Sequence, residues 1–166
     1  MAEILADSGI KSYIFKRIVP VLNKHINEYL AYFDLGVTVT FDEMMDETIK
    51  VIGYHGSQVA YSSFSEGEKK RIDMAILLSF IKISKVLAEW NCNLLVVDEL
   101  LDSSIDDAGL AKLLGSLKNI SANKDHQSTL IISHRLQHEF GEFFENVIEI
   151  KKAPNGFSDL HVKRGL

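Results

Sequence analysis

Three short polar stretches of this chain carry side chains able to handle a phosphate, a metal ion and a water molecule. The first is Ser65-Glu66-Gly67-Glu68, at the head of a long run with helical periodicity. A Ser followed three residues later by Glu can satisfy the orphan amides of a helix start reciprocally, and such a start directs free N–H groups and about half a positive charge toward an anion. The second is Asp98-Glu99, which directly follows Leu94, Leu95, Val96 and Val97. That aliphatic run reads as a central strand buried on both faces, and its carboxyl end is where open α/β sheets bind ligands. The third is Ser133-His134, behind a second aliphatic strand, with Asp102, Ser103, Ser104, Ile105 and Asp106 lying between the two strands. Each has a plain structural reading when taken alone: Ser-x-x-Glu caps many helices that bind nothing, acids end many structural strands, and a lone His is more often structural than functional. Their order and spacing together point to a phosphate-and-metal site.

The elements that must position these groups follow from periodicity. Ile10, Ile14, Ile18, Leu22, Ile26, Leu30 and Phe33 recur every three or four residues and mark an amphipathic helix, in which Pro20 predicts a kink or two abutting helices. Residues 37–41 alternate as a half-buried strand, residues 48–53 form a second, and Gly36 with the acidic segment 42–47 supplies the turns. Gly53 and Gly56 open a polar loop in which His55 reads as solvated. A helix over 68–87 presents Ile72, Ala75, Ile76, Phe80, Ile83 and Leu87 to the core, and Lys69, Lys70 and Arg71 read as a solvated cation run beside the phosphate end. Trp90 reads as packing, and Cys92 as a core or edge residue. A helix over 108–120 and a strand over 128–132 complete a βαβ unit with parallel strands and a right-handed crossover. A short helix over 135–144 precedes a hairpin of 147–151 and 157–162 around Pro154-Asn155-Gly156.

With these residues in place the chain resembles the ABC-type ATPases. Ser65-Glu66-Gly67-Glu68-Lys69 is similar to their signature motif, residues 94–99 to the Walker B strand, Ser104-Ile105-Asp106 to the D-loop and His134 to the switch histidine. Phe64 before the Ser, and Lys69 and Arg71 after it, resemble the DNA-repair and chromosome-maintenance branch, and nearly the whole chain resembles the large coiled-coil subunit of phage recombination endonucleases, relatives of SbcC. The resemblance implies an α/β fold: the C-terminal lobe of an ABC-type ATPase head, parallel core strands flanked by helices, with a C-terminal β-hairpin. It implies ATP and magnesium, with Asp98 holding the metal and Glu99 orienting the attacking water. His134 would contact the γ-phosphate. Ser65, Gly67 and Glu68 would meet the γ-phosphate of ATP held by a second head, and Asp106 would couple the two sites. Two departures stand out: Glu66 replaces a glycine usual in the family, and the span from Asp98 to Asp106 is one residue longer than the commonest spacing.

One absence limits the activity. A phosphate-cradling loop needs Gly-Lys-Ser or Gly-Lys-Thr, and no lysine in this chain follows a glycine. The reading is therefore a single domain over 1–166, the C-terminal half of a split head: a helical arm over 1–34, strands and loop over 35–63, and the site region over 64–166. Alone it should hydrolyse little or no ATP. The implied partners are the N-terminal Walker A lobe, a second ATPase head in a homodimer, a nuclease subunit and DNA through the complex. The implied role is ATP-driven head dimerisation that controls DNA end processing. A non-hydrolytic dimerisation or docking lobe is the alternative, with a transporter-type fragment disfavoured by Phe64 and Lys69.

Composition agrees with this class. The 166 residues, 46% hydrophobic and 25% charged, can bury one ordinary core. A formal net charge of −5 offers no general basic patch for nucleic acid. A single cysteine excludes an intrachain disulfide and a multi-cysteine metal site. No apolar run approaches membrane-spanning length and the first residues lack the continuous apolar core of a signal peptide, so the expected location is cytoplasmic, the host cytoplasm if the chain is phage-encoded.

Overall fold

The first apolar stripe lies in one helix, α1 (Asp7–Tyr32), which contains Pro20, so of the two expected outcomes the pair of abutting helices is not the one found. A mid-helix proline costs about 3 kcal/mol. Val19, Leu22, Ile26, Leu30 and Phe33 are buried around and beyond it, and each such burial stabilises by about 1.5–3 kcal/mol, so packing outweighs the lost hydrogen bond. Upstream, Tyr13 and Ile14 are exposed, and among the described side chains of the helix full burial begins at Val19. The helix ends with Asp34 at φ 55°, where Leu35 N–H donates to Leu30 O and Asp34 N–H to Ala31 O. That is a Schellman ending, with Asp34 in place of the usual glycine. The computed structural model describes residues 7–53, 57–87, 93–99, 105–122, 128–134, 138–154 and 156–164. His55, Gly56, Trp90, Cys92, Asp102, Ser103, Ser104, Arg135 and Asn155 lie outside the described residues.

Strands β1 (Val37–Phe41) and β2 (Glu47–Val51) pair antiparallel, from Val37 opposite Val51 to Phe41 opposite Glu47. β2 stops two residues before the expected end, because Gly53 turns the chain at φ 89°. The other edge of β1 is closed by side chains from α1. Asn27 Nδ2 donates to Val39 O at 2.8 Å and its Oδ1 accepts Val39 N–H at 3.0 Å. One turn earlier, Asn23 makes the same pair of bonds with Phe41, both at 2.8 Å. Two asparagines spaced i, i+4 on a helix thus match backbone groups spaced i, i+2 on a strand, and they stand in for a missing strand.

Helix α2 (Glu66–Leu87) packs on α1. Its buried face is Ile72, Met74, Ala75, Leu78, Ser79 and Ile83, whereas Phe80 and Leu87, expected in the stripe, are exposed. The face is turned toward α1, and Ser79 is accommodated in it by donating to Ala75 O at 2.6 Å.

The chain divides into two compact units, residues 1–91 with 104–109 and residues 92–103 with 110–166. The elements above form the first. In the second, β3 (Leu94–Asp98) pairs parallel with β4 (Ser128–Ile132), from Leu94 opposite Ser128 to Asp98 opposite Ile132. Helix α3 (Asp107–Ala122) lies between them in sequence, starting in the first unit and burying Leu110, Leu113, Leu114 and Leu117 in the second. The expectation that β3 is buried on both faces is not met. Only Val97 is buried in it, and Leu94 and Val96 are half exposed, as are Leu130 and Ile132 across from them. Among the described residues this sheet has two strands, so one of its faces lacks cover. The short helix expected here is a 3-10 helix over the described residues His138–Phe143, and Lys118 holds it by donating to Glu142 O. The hairpin is present as β5 (Asn146–Lys152) and β6 (Ser158–Arg164), with Gly156 at φ 86° in the turn. One of its faces carries Ile148, Ile150, Leu160 and Val162, all exposed. The other carries Glu149 between Lys151 and Lys163, which together hold its carboxyl at about 2. Among the described residues no helix is long and apolar enough to cross a membrane.

The asparagine ladder is testable in the chain itself. Asn27→Ala removes three bonds, two with Val39 and one to Asn23 O, and leaves both Val39 backbone groups unpaired, so it should lower stability by about 1–3 kcal/mol. Urea unfolding followed by circular dichroism reads this. A change below about 0.5 kcal/mol, the usual range of a featureless surface site, would show that β1 does not depend on the helix for its edge.

Candidate functional site

The Ser65 end of α2 is a complete capping box. Glu68 Oε2 accepts the Ser65 N–H at 2.9 Å and the Ser65 hydroxyl at 2.7 Å, and Glu68 N–H reaches Ser65 Oγ at 3.4 Å. Ser65 O accepts the Lys69 N–H, the first bond of the helical ladder. The Ser65 side-chain and backbone donors hold the Glu68 carboxyl below the usual carboxylate range. The amides of Glu66 and Gly67 lie in the first turn, where no preceding helical carbonyl reaches them. Glu66, which stands where the family usually has glycine, turns its carboxylate onto Lys69 at 2.7 Å, so its charge is neutralised locally. The approach to Ser65 is anchored by Tyr61, whose hydroxyl donates to Asp73 Oδ1 at 2.8 Å across one turn of α2. Burial and that carboxylate push the phenol up to about 12.

In the second unit, Asp98 closes β3 and Glu99 follows it with φ 51°, a left-handed conformation that costs a non-glycine residue about 1–2 kcal/mol. Glu99 N–H donates to Ile132 O, carrying the β3–β4 pairing one step past the strand. The next residues after β4 are Ser133 and His134. His134 Nε2 lies 3.8 Å from Glu99 Oε1, with the imidazole 87% and the carboxylate 71% exposed. The structure thus brings Asp98, Glu99 and His134 to the carboxyl ends of two adjacent parallel strands and opens them to solvent. A sealed apolar environment would have excluded a phosphate; this one does not.

Among the described residues no group of three or more His, Cys, Asp and Glu could hold a metal ion by itself. Magnesium does not require one, since it keeps several waters and binds through one or two carboxylates together with substrate phosphates. The exposed Asp98 carboxylate at a strand end fits that demand.

Asp106 has a local role that its place in the sequence did not reveal. Its Oδ1 accepts the Gly109 N–H at 3.3 Å, the N-cap bond of α3, and takes an ion pair from Arg71 Nη2 at 2.6 Å. Arg71 is therefore not part of a solvated cation run. It holds the Asp106 carboxyl below its ordinary range. Ser65, Gly67, Glu68 and Asp106 belong to the first unit, and Asp98, Glu99 and His134 to the second. Arg71, Gly109 and Tyr61 are the residues near the candidate groups that sequence reading missed. Only Asp106-x-x-Gly109 carries a local signal, as an Asp at a helix start.

Comparison with known proteins gives a consistent result, although no family model matches the chain. Exonuclease subunit 2 of Enterobacteria phage T4 is 37% identical over 150 residues, 86% of this chain and 26% of that protein. Exonuclease subunit 2 of Escherichia phage RB69 is 36% identical over 81% of this chain and 23% of that protein. The chain thus spans about a quarter of the length of the curated relatives it matches. Among solved structures, an SMC ATPase studied for ATP-driven dimerization and DNA-stimulated activation aligns with a TM-score of 0.68 at 16% identity, over 92% of this chain and 89% of that one. An SMC head bound to the C-winged helix domain of ScpA aligns at 0.71 over 98% of this chain and 47% of that one, also at 16% identity. The SMC head domain from Thermotoga maritima aligns at 0.59 with 22% identity, over 90% of this chain and 51% of that one. The fold is that of an SMC-type ATPase head lobe, and by sequence the chain is similar to about a quarter of the length of the phage exonuclease subunit 2 proteins.

Proposed function

We propose that this chain is the C-terminal lobe of an ATPase head in a subunit of a nuclease complex that processes DNA ends during recombination and double-strand-break repair. The carrying observation is the convergence of Glu99 and His134, 3.8 Å apart and exposed, beside Asp98 at the ends of paired parallel strands. The exonuclease-subunit relatives support the nuclease setting, and the SMC head fold supports the ATPase. The Walker A loop has to come from an N-terminal lobe, so the chain alone turns over little or no ATP. Residues 1–34 serve as the arm entering the head, and the complex works on DNA in the cytoplasm.

In this reading Glu99 accepts a hydrogen bond from the attacking water and orients it toward the γ-phosphate, and His134 donates to a γ-phosphate oxygen. Magnesium, when bound, neutralises the phosphates, with Asp98 among its oxygen donors directly or through water. On the opposite head, the Ser65 hydroxyl and the first-turn amides of α2 meet the γ-phosphate of the partner's nucleotide. Ser65 must then redirect its proton, because the hydroxyl already donates to Glu68. Engagement of a second head therefore exchanges an internal carboxylate for a phosphate. Asp106 faces the partner from the same unit as Ser65.

A second reading, a docking lobe without turnover, draws on the uncovered apolar faces of the β3–β4 sheet and the β5–β6 hairpin. Both readings need a further lobe, and turnover separates them. With the complementing Walker A lobe supplied, Glu99→Gln should reduce ATP turnover by about a hundredfold or more while ATP binding persists. Steady turnover unchanged by the substitution would remove Glu99 from the reaction; absence of turnover in the parent assembly, with tight lobe association, would establish the docking reading.

Ser65→Ala and Glu68→Gln distinguish capping from phosphate contact. Both perturb the cap, by about 1 kcal/mol for the serine. Only Ser65→Ala removes the proposed phosphate donor, so it should abolish ATP-dependent head dimerisation, measured by light scattering, whereas Glu68→Gln should preserve or strengthen it. Equal loss in both would reduce the motif to a helix cap.

A further inference from the structure

Arg71 lies on α2 six residues beyond Ser65 and is remote in sequence from Asp106, yet its Nη2 reaches Asp106 Oδ1 at 2.6 Å. The same oxygen caps α3 through Gly109 N–H. One carboxylate oxygen therefore both closes the start of one helix and ties it to another. Surface ion pairs are commonly weak and replaceable. Two observations set this one apart. A Cβ on Gly109 would stand 2.7 Å from Asp106 Oδ1, 2.9 Å from Ile105 Cγ2 and 3.4 Å from Arg71 Nε, so only glycine leaves room for the pair. Arg71 Nε is buried without a hydrogen-bond partner among the described residues, a cost the fold accepts in order to place the guanidinium there.

We propose that Arg71 is a positioning residue for Asp106: one guanidinium N–H pins the carboxylate to α2 with its remaining surface turned outward, and Gly109 is the gap that admits the pair. This rests on the reading of Asp106 as a residue that meets the second head. The carboxylate stays 58% exposed while pinned, as a residue with an outside contact requires. The consequence is mechanical. Ser65 caps α2, and Arg71 leaves the same helix about 9 Å further along its axis. Ser65 and the guanidinium that pins Asp106 therefore ride on one rigid element, and seating the Ser65 end presents Asp106 in register.

The pair is first read in the chain itself, from the carboxyl carbon-13 shift of Asp106 against pH. Arg71 holds that carboxyl low, so the stabilisation is complete above the ordinary aspartate range and is lost as pH falls through the depressed value. Arg71→Ala should move the titration upward, and an unchanged titration overturns the pinning. In the ATPase assembly with its Walker A lobe, Arg71→Ala should lower kcat about tenfold with KM for ATP within about twofold. Arg71→Lys, which keeps the charge and a single donor, should restore at least half of the lost rate. Gly109→Ala should reproduce the loss with Arg71 still present, and circular dichroism melts identify any variant that has merely unfolded. A kcat within twofold of the parent in folded Arg71→Ala, or no rescue by lysine, overturns the proposal while Glu99→Gln still abolishes turnover. If Glu99→Gln leaves turnover intact, it is the ATPase reading that fails, and the Arg71 assignment then stands or falls on the titration alone.

Discussion

The start of α2 has donors that no helical carbonyl can reach, and the chain satisfies two of them reciprocally, the Glu68 N–H at Ser65 Oγ and the Ser65 N–H at the Glu68 carboxylate. Glu68 collects both the hydroxyl and the backbone N–H of Ser65. The cap lets the helix start where it does, and the long element that follows can then pack Ile72, Ala75 and Leu78 into the first core. It also sets the condition for binding. An anion arriving at this helix end meets a site already occupied by an internal one, so binding is an exchange whose free energy is the difference between two charge-assisted hydrogen bonds. An isolated phosphate has little to gain there. A phosphate presented in a fixed position by another folded surface brings its other contacts with it, and that additional binding energy can drive the exchange.

The same logic of satisfying backbone groups by side chains recurs where the sheet runs out. Among the described residues β1 has a strand neighbour on one edge only, and Asn23 and Asn27 supply the other edge from α1. An amide side chain carries one donor and one acceptor group in the geometry of a peptide, so two of them a helical turn apart reproduce a strand's ladder. The unpaired edge that would otherwise recruit another chain is thereby removed. Where no such substitution exists, in the β3–β4 sheet and on the hairpin, apolar side chains remain exposed.

How much of this was legible in the sequence depended on the range of the interaction. The Ser65–Glu68 cap, the parallel strands ending in Asp98 and before His134, and the hairpin were readable because each signal lies within a few residues of its effect. The contacts that tie elements together were not. Asn27 to Val39 and Arg71 to Asp106 are polar pairs between segments whose mutual placement no local pattern encodes, and Arg71 inside a Lys-Lys-Arg run has the appearance of ordinary surface. The error over β3 has a different origin. Four aliphatic residues say what a strand can bury, and whether it does so depends on what is laid over it. Pro20 illustrates a related point: the propensity penalty is local, whereas the core contacts that outweigh it come from other elements.

The division of the chain into units bears on how a head could report occupancy. The groups proposed to act on one nucleotide, Asp98, Glu99 and His134, share the second unit, and those proposed to act on another, Ser65 and Asp106, share the first. Helix α3 is the covalent continuation from one to the other, opening at the Asp106 cap and continuing to Leu117 in the second core. A helix whose first turn is fixed by Arg71 cannot rotate without breaking that pair or its own cap, since both use the same oxygen. Coupling between two ligands requires an element whose state both can bias. In α3 the start, held by Arg71 through Asp106, belongs to the first unit, and the buried leucines belong to the unit that carries Glu99.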